Sequence, residues 1–213
     1  MTARLTDRRT LTLSGFALLF AGPALAQSAG LSAEDRAVVA EAQSYFQGLS
    51  AARGSFSETG PGGQQRTGEF WLQRPGRMRF EYTEPAGLLV VSDGYNVKRY
   101  DPRLETFQQV PLGQTPLSTF LARNVRLDEG VRIDRVTRMP SGAFAIIARD
   151  ARRPHEGAVV LAFAGSPMRL QEWTIIDGQG QRTRTRLTRL EPASGLAASL
   201  FQLQDPTRRP GRN

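Results

Sequence analysis

Residues 69–82, EFWLQRPGRMRFEY, carry large apolar side chains and charged ones in alternation on both sides of a Pro-Gly pair. A period of two is typical of a β-strand that is buried on one face. Proline followed by glycine is typical of a tight turn, because proline presets φ at one central position and glycine accepts a positive φ at the next. The stretch therefore predicts an antiparallel hairpin centred on Pro75 and Gly76, with Arg74 immediately before the turn.

The face of this hairpin that enters the interior depends on the register of its two strands. A loop made only of Pro75 and Gly76 predicts three facing pairs: Gln73 with Met78, Trp71 with Phe80, and Glu69 with Tyr82. Facing residues share one side of the sheet. This register puts Trp71, Met78, Phe80 and Tyr82 on a single face, while Phe70 and Leu72 lie on the other with Arg77, Arg79 and Glu81. The first face suits a core or an apolar ligand.

The chain before the hairpin predicts one helix. Residues 31–50 have apolar side chains at helical spacing, namely Val38, Val39, Ala42, Phe46 and Leu49. Ser32 can cap the N-terminus of this helix, and Asp35 stands at the capping-box spacing. One face of the helix is therefore expected to cover another part of the fold.

The rest of the chain is predicted to be mainly β-structure. About eleven short strands are separated by glycine-rich and proline-rich turns from residue 54 onward. Residues 115–124, TPLSTFLARN, predict a short helix with Thr115 as its cap and Pro116 in its first turn. Residues 195–203 predict a second short helical or extended element. Strands in meander order at this spacing indicate a large antiparallel sheet that curls or closes.

The two ends of the chain are predicted to lie outside this domain. Residues 1–26 have a basic start, an apolar run and an Ala-Leu-Ala cleavage site, which is the pattern of a secretory signal peptide. Plain secretory export and a twin-arginine route at Arg8-Arg9 both remain open. Residues 27–205 are expected to form one domain, and residues 206–213 a disordered basic tail. Export indicates the periplasm.

Composition excludes several kinds of chemistry. The 213 residues contain no cysteine and a single histidine, His155, in a loop-like segment. No Gly-x-Ser-x-Gly motif occurs, and the carboxylates of Asp128 and Glu129 lie in a polar loop. We therefore expect no enzyme activity, no metal and no cofactor. The net charge is +8, but an exported chain with dispersed arginines is not expected to bind nucleic acid.

The order of motifs resembles the periplasmic lipoprotein carrier family LolA. After the export signal come a helix, GSFSE at 54–58, the hairpin GEFWLQRPGRMRFEYTEP at 68–85, and LLVVSDGYNVKRYDP at 88–102. TPLSTFLARN, IIDGQGQRTRTRL and SLFQLQDP follow in the same order. The "RPG" hairpin and the "SDG" turn are the most specific of these. Glu58 stands where the family often has glutamine, and the arginine-rich tail replaces the usual ending.

This resemblance implies an incomplete, strongly curved antiparallel β-barrel that is closed by helices acting as a lid. A hydrophobic cavity between sheet and lid would hold the acyl chains of a lipoprotein. Combined with the apolar pattern, it predicts the lining residues Val39, Phe46, Phe56, Trp71, Met78, Phe80, Tyr82, Phe120 and Leu121. The resemblance also implies that Arg74 holds the lid closed by reaching helix carbonyls across the mouth of the cavity.

The implied function is that of a monomeric periplasmic chaperone. It would take lipoproteins from an inner-membrane lipoprotein-releasing ABC transporter and deliver them to the outer membrane, where a LolB-like receptor accepts them if one is present. Two alternatives remain open at this point. One is a sensor or regulator of the same fold that binds lipid or lipoprotein, and the other is a carrier of another apolar molecule such as a glycolipid.

The alternating arginines Arg182, Arg184 and Arg186 share one face of a predicted strand. They are expected to form a solvated outer face that discourages edge pairing. Contact with anionic headgroups or an acidic partner is the alternative.

Overall fold

The computed structural model describes residues 30–208, whose main element is one antiparallel sheet. Its eleven strands are β1 (Ala51–Thr59), β2 (Gln65–Gln73), β3 (Arg77–Glu84), β4 (Leu89–Asp93), β5 (Asn96–Asp101), β6 (Thr106–Pro111), β7 (Val131–Arg138), β8 (Phe144–Asp150), β9 (Gly157–Ala164), β10 (Arg169–Asp177) and β11 (Arg182–Pro192). The predicted signal peptide, residues 1–26, lies outside the described residues.

The strands are arranged as two meanders joined side by side. Their order across the sheet is β6-β5-β4-β3-β2-β1-β11-β10-β9-β8-β7, so the only neighbours that are distant in sequence are β1 and β11. β6 and β7 are the two edges, and the sheet is not closed between them. The predicted mainly-β fold with an incomplete barrel is confirmed.

The register of the β2–β3 hairpin differs from the predicted one by one residue. Gln73 faces Arg77, so the loop consists of Arg74, Pro75 and Gly76 and not of Pro75 and Gly76 alone. The loop is held from outside the hairpin, because the Arg74 N–H donates to the carbonyl of Ser50 at 2.8 Å and the Gly76 N–H to that of Leu121 at 2.7 Å. A loop longer by one residue exchanges the two faces of β2 relative to β3.

The predicted placement of Trp71 beside Met78 and Phe80 was therefore wrong. Leu72 faces Met78 and Phe70 faces Phe80, whereas Trp71 faces Arg79. Phe70 is buried, and Trp71 is half-buried on the opposite side of the sheet.

Helix α1 (Ala33–Gly48) covers part of the inner face of the sheet. Its start is set by Ser32, whose hydroxyl accepts the Asp35 N–H at 3.0 Å, as the sequence predicts. Val39, Ala42 and Phe46 are buried at i, i+3 and i+7. They pack with residues of β8 and β9, which include Ile146, Leu161 and Phe163.

The second predicted helix is much shorter than its sequence pattern. A 3-10 turn covers Leu112–Gln114, and helix α2 is confined to Leu117–Phe120. Thr115 does not cap α2, because its hydroxyl donates backwards to the carbonyl of Leu112 at 2.8 Å. The Leu121 carbonyl accepts the Gly76 N–H of the hairpin loop at 2.7 Å. This tertiary contact ties the chain down where the helical pattern would otherwise continue.

The C-terminal segment crosses to strands β3 and β4. A 3-10 turn, Ala198–Phe201, lies against them, and Phe201 is 1% exposed. Arg79 donates to the carbonyl of Leu200 at 3.3 Å. In the predicted disordered tail, residues 206–208 form a turn in which Asp205 accepts the Thr207 N–H at 2.9 Å. Residues 209–213 lie outside the described part of the chain.

The observed register predicts unequal costs for two neighbouring aromatic truncations. Phe70→Ala should lower the free energy of unfolding by about 3 kcal/mol, since a buried ring is replaced by a cavity. Trp71→Ala should cost about 1 kcal/mol, because the indole is half-exposed. Urea unfolding of both variants measures the difference. A larger loss for Trp71→Ala would favour the two-residue loop instead.

Candidate functional site

An apolar cavity lies between the inner face of the sheet and the two helices. Its volume in this closed conformation is about 110 Å³. Apart from Arg74, the lining is apolar: Phe46, Leu49, Ala52, Phe70, Leu72, Met78, Phe80, Pro116, Leu117, Phe120, Leu121, Val159, Leu161, Leu170, Trp173, Ile175, Leu187 and Leu190. Such a cavity can hold an apolar ligand.

Phe80 stands at the centre of the aromatic part of this wall. Its ring stacks on Phe70 at 5.6 Å between centroids, and it meets Phe56 at 4.9 Å and Trp173 edge-on at 6.0 Å. Phe70 and Trp173 belong to opposite halves of the sheet, on β2 and β10. Phe80 therefore joins the two halves across the interior.

The structure brings together five of the nine residues predicted to line the cavity. Phe46 comes from α1, Met78 and Phe80 from β3, and Phe120 and Leu121 from α2 and its end. These residues are far apart in the sequence, and the packing of the two helices over the sheet brings them to one site.

Four predicted lining residues lie elsewhere, for different physical reasons. Val39 is two turns before Phe46 on α1 and packs into the core over β8 and β9. Phe56 and Tyr82 pack with Leu88 in a cluster beyond Phe80. Trp71 is excluded because the three-residue loop turns it to the other face of the sheet.

A buried polar cluster lies beside Phe56, at one end of the aromatic interior. The carboxylate of Glu58, 7% exposed, accepts the Tyr82 hydroxyl at 2.9 Å and a guanidinium N–H of Arg66 at 3.1 Å. Burial, together with the neighbouring Glu58 charge, raises the pKa of the Tyr82 phenol well above its usual 10. Both donors satisfy the carboxylate, so a charge is tolerated here at the end of an aromatic cluster.

Among residues 30–208, Arg74 is the one charged residue that lines the cavity. Its Nε donates to the carbonyl of Phe120 at 2.9 Å, and its Nη1 donates to the carbonyls of Phe46, at 2.8 Å, and Leu49. The guanidinium also lies 5.8 Å from the centroid of the Phe46 ring. One side chain thus binds the C-terminal ends of both helices.

These contacts use carbonyls at helix ends, where the last turn leaves carbonyls without an intrahelical partner. The Phe46 carbonyl also accepts the Leu49 N–H at 3.2 Å, so Arg74 adds a second hydrogen bond there. α1 has no basic residue in its last turn, so Arg74 supplies from another element the cation that the C-terminal end of a helix favours. Within residues 30–208 Arg74 forms no ion pair, and burial lowers the pKa of its guanidinium to about 10. The group stays charged at neutral pH.

Sequence reasoning missed most of the wall formed by β9, β10 and β11. Leu161, Trp173 and Leu187 line the cavity from these strands. Alternation in GAVVLAFAG could have indicated Leu161, and alternation in EWTII could have indicated Trp173, since every second residue of a strand faces inward. Phe70 and Leu72 were missed because of the register error.

The alternating arginines of β11 lie on the outer face. Arg182, Arg184 and Arg186 are all exposed. Arg184 is paired with Glu172 through two hydrogen bonds, the first at 2.9 Å, and Arg186 lies 3.5 Å from the same carboxylate. The placement agrees with a solvated outer face.

Among residues 30–208, no three His, Cys, Asp or Glu side chains converge as a metal site would require. In that same range, no helix combines the length and the apolar character needed to cross a membrane.

Comparison with known proteins gives consistent similarities. The family described as "Outer membrane lipoprotein carrier protein LolA" matches residues 47–204. An outer-membrane lipoprotein carrier protein from Alkalilimnicola ehrlichii is 30% identical, with 82% of this chain and 83% of the relative covered. One of the same name from Bordetella avium is 30% identical, with 92% and 93% covered. A solved LolA superfamily protein from Nitrosomonas europaea is 9% identical with a TM-score of 0.43, over 79% of this chain and 97% of that one.

The buried polar group predicts an alkaline sensitivity. The folded state keeps the Tyr82 phenol protonated, because its pKa is raised above 10. The phenol therefore stabilises the fold below pH 10, and this stabilisation is lost as the pH rises above 10. Tyr82→Phe should lower the free energy of unfolding at pH 7 by about 1–3 kcal/mol, because a buried carboxylate loses a donor. The substitution should also remove part of the fall in the free energy of unfolding above pH 10.

Urea unfolding of wild type and Tyr82→Phe at pH 7, 9 and 10.5 is the measurement. Tyr100→Phe is the control, since that tyrosine lies outside the cluster. Parallel stability curves for Tyr82→Phe and wild type would contradict the assignment.

Proposed function

The chain belongs to the outer membrane lipoprotein carrier protein LolA family, and on that premise we propose how it carries a lipoprotein and releases it. The carrier role comes with the family, and the family is periplasmic. The observation that carries the mechanism is the apolar cavity closed by a single arginine. Acyl chains are the apolar part of a lipoprotein, and this cavity is where they would be held.

In the closed conformation the cavity is too small for its cargo. Its volume is about 110 Å³. A cavity of about 150 Å³ in another protein accommodates one benzene molecule. A long acyl chain therefore requires α1 and α2 to move away from the sheet, and the Arg74 contacts hold both helices in place.

The energetics require such an opposing contact. Burying one methylene is worth about 0.8 kcal/mol, so one long chain contributes on the order of 10 kcal/mol. A carrier that kept all of this affinity would release its cargo too slowly. Closure of the lid around Arg74 competes with the acyl chains and lowers their net affinity.

The Arg74 contacts suit a lid that opens repeatedly. All three acceptors are backbone carbonyls, so opening leaves no buried carboxylate without its counter-ion. The guanidinium is partly exposed at the mouth and can be hydrated when the helices leave. The closed state is thereby favoured without being locked.

The exchange partners and the route of export belong to the same proposal. We expect a precursor whose residues 1–26 are removed on export, a donor in the inner membrane of the ABC-transporter class, and an acceptor on the outer membrane. The chain binds and passes on its cargo without changing it chemically, and it acts as a monomer. The sensor and glycolipid-carrier alternatives have no observation in the described residues that favours them.

Replacing Met78 tests the binding site directly. Met78 is 5% exposed and lines the cavity. Met78→Glu places a carboxylate there, and burying it costs several kcal/mol unless it is protonated or paired. The variant should lose binding of an acylated peptide by at least a hundredfold, as measured by fluorescence titration.

Met78→Leu is the matched control and should bind as wild type does. Circular dichroism of both variants shows whether the fold survives. Binding by a folded Met78→Glu variant at wild-type affinity would place the acyl chains elsewhere.

Replacing Arg74 tests the lid. Arg74→Leu removes the hydrogen bonds to both helices while keeping an apolar stem. A hydrogen bond to a charged group is worth about 1.5–3 kcal/mol, so acylated peptide should bind about ten- to a hundredfold more tightly. Transfer of lipoprotein to outer-membrane vesicles should be correspondingly poor.

Arg74→Lys should give an intermediate affinity, because one ammonium cannot reproduce the planar fork of the guanidinium. Arg77→Leu is the control, since Arg77 is exposed on the same hairpin and, among residues 30–208, its side chain bonds only to Gln73. Unchanged affinity and transfer in Arg74→Leu would make Arg74 an ordinary turn residue.

A further inference from the structure

Strand β11 loses its neighbour on one side before it ends. Its pairing with β1 continues to Ala52 opposite Pro192, whereas its pairing with β10 stops at Glu172 opposite Arg186. In the part of the chain that the structure describes, the segment Leu187–Pro192 therefore has a partner strand on the β1 side only.

Two β-bulges at the same level open this gap. In β10, Gln171 is the extra residue between Leu170 and Glu172. In β11, Thr188 is the extra residue between Leu187 and Arg189. Bulges bend a strand and increase its twist, so neighbouring bulges turn β10 and β11 apart.

The gap is an amphipathic slot in the sheet. Its volume is about 390 Å³. Leu170, Leu187 and Leu190 line both the slot and the apolar cavity, so the two adjoin at these three side chains. Arg169 and Arg189 are exposed at the outer rim. A molecule in the slot would meet apolar walls inside, strand backbone in the plane of the sheet, and positive charge outside.

The backbone of Leu190 faces the slot. The Ala193 N–H donates to the Ala51 carbonyl at 3.0 Å, so Ala193 faces β1. Backbone groups of a strand alternate between its two sides, which places Glu191 on the β1 side with Ala193 and Leu190 on the opposite side. Among residues 30–208 no strand pairs with Leu190 on this side, so its N–H and carbonyl form a strand edge next to the cavity.

We propose that this slot is a strand-addition site for the extended peptide that directly follows the acylated residue of a lipoprotein. The inference rests on the proposed carrier function and adds to it the path by which the polypeptide leaves the cavity. A residue whose acyl chains lie among Leu170, Leu187 and Leu190 has to bring its own backbone into the slot. Backbone pairing with Leu190 satisfies those polar groups without reading any side chain.

The charge at the rim agrees with this occupant. Arg169 and Arg189 outnumber the nearby Glu191, which lies 3.9 Å from Arg189. A peptide with neutral or acidic residues after its acylated position meets attraction there, and one with basic residues meets repulsion.

The test compares three probes on the full exported chain. They are a dipalmitoylated pentapeptide, the same lipopeptide N-methylated at its second and third residues, and palmitate alone. N-methylation removes backbone donors and leaves the acyl chains unchanged. The unmodified lipopeptide should bind at least tenfold more tightly than the methylated one. Hydrogen exchange should show protection of the Leu190 amide by the unmodified lipopeptide but not by palmitate.

Site-directed crosslinking locates the peptide. The chain has no cysteine, so a single introduced thiol can carry a benzophenone probe. Arg189→Cys at the slot should crosslink to the lipopeptide. Gln109→Cys on β6 is the control, because β6 is also a strand with a free edge but is remote from β11 in the sheet order. Crosslinking at residue 109 and not at 189 would overturn the assignment.

The outcomes separate this inference from the carrier function. Equal affinity of the two lipopeptides, with both binding, would overturn the slot and leave the carrier function intact. A Leu190 amide already protected before any probe is added would also overturn it, because the edge would be paired. If no probe bound, the carrier proposal and the slot would both be wrong.

Discussion

The guanidinium of Arg74 is the point where the hairpin loop, the end of α1 and the end of α2 meet. Its donors reach carbonyls of Phe46, Leu49 and Phe120, which are far apart in the chain. Backbone bonds from the same loop, to Ser50 and Leu121, run to the same two segments. Each of the two meanders can form from local hairpins, but the position of the helices over the sheet depends on this loop.

The apolar interior and the arginine impose opposite demands on the molecule. The apolar lining, which includes Met78, Phe80 and Leu161, is stabilised when any apolar surface covers it. The helices themselves provide such a surface. The lid thus competes with the cargo for the same wall. A partly buried cation bound to neutral carbonyls adds a modest preference for the closed arrangement, so the free energies of the closed and open states stay close.

Local patterns in the sequence predicted the strands, helix α1 and its Ser32 cap, because these depend on periodicity and on residues three or four apart. The prediction of the hairpin register was wrong because Arg74 belongs to the loop. That assignment is decided by its N–H bond to Ser50 and by the Gly76 bond to Leu121, neither of which is visible within residues 69–82. The far wall on β9–β11 was missed because an alternating apolar strand has the same appearance over a packed core and over a cavity. The placement of Arg74 near helix ends followed from the family resemblance, since the turn pattern alone does not indicate its direction.

The unpaired edges β6 and β7 have a mechanical consequence. In a closed barrel the circumference is set by a continuous ladder, and widening it breaks backbone hydrogen bonds. Here the sheet ends at β6 on one side and at β7 on the other, so its girth is limited only by side-chain contacts and by the twist of the strands. The molecule therefore resists opening only as a bent sheet resists bending. The volume that the curved sheet encloses can increase with the size of the bound molecule, without the loss of a single strand pairing.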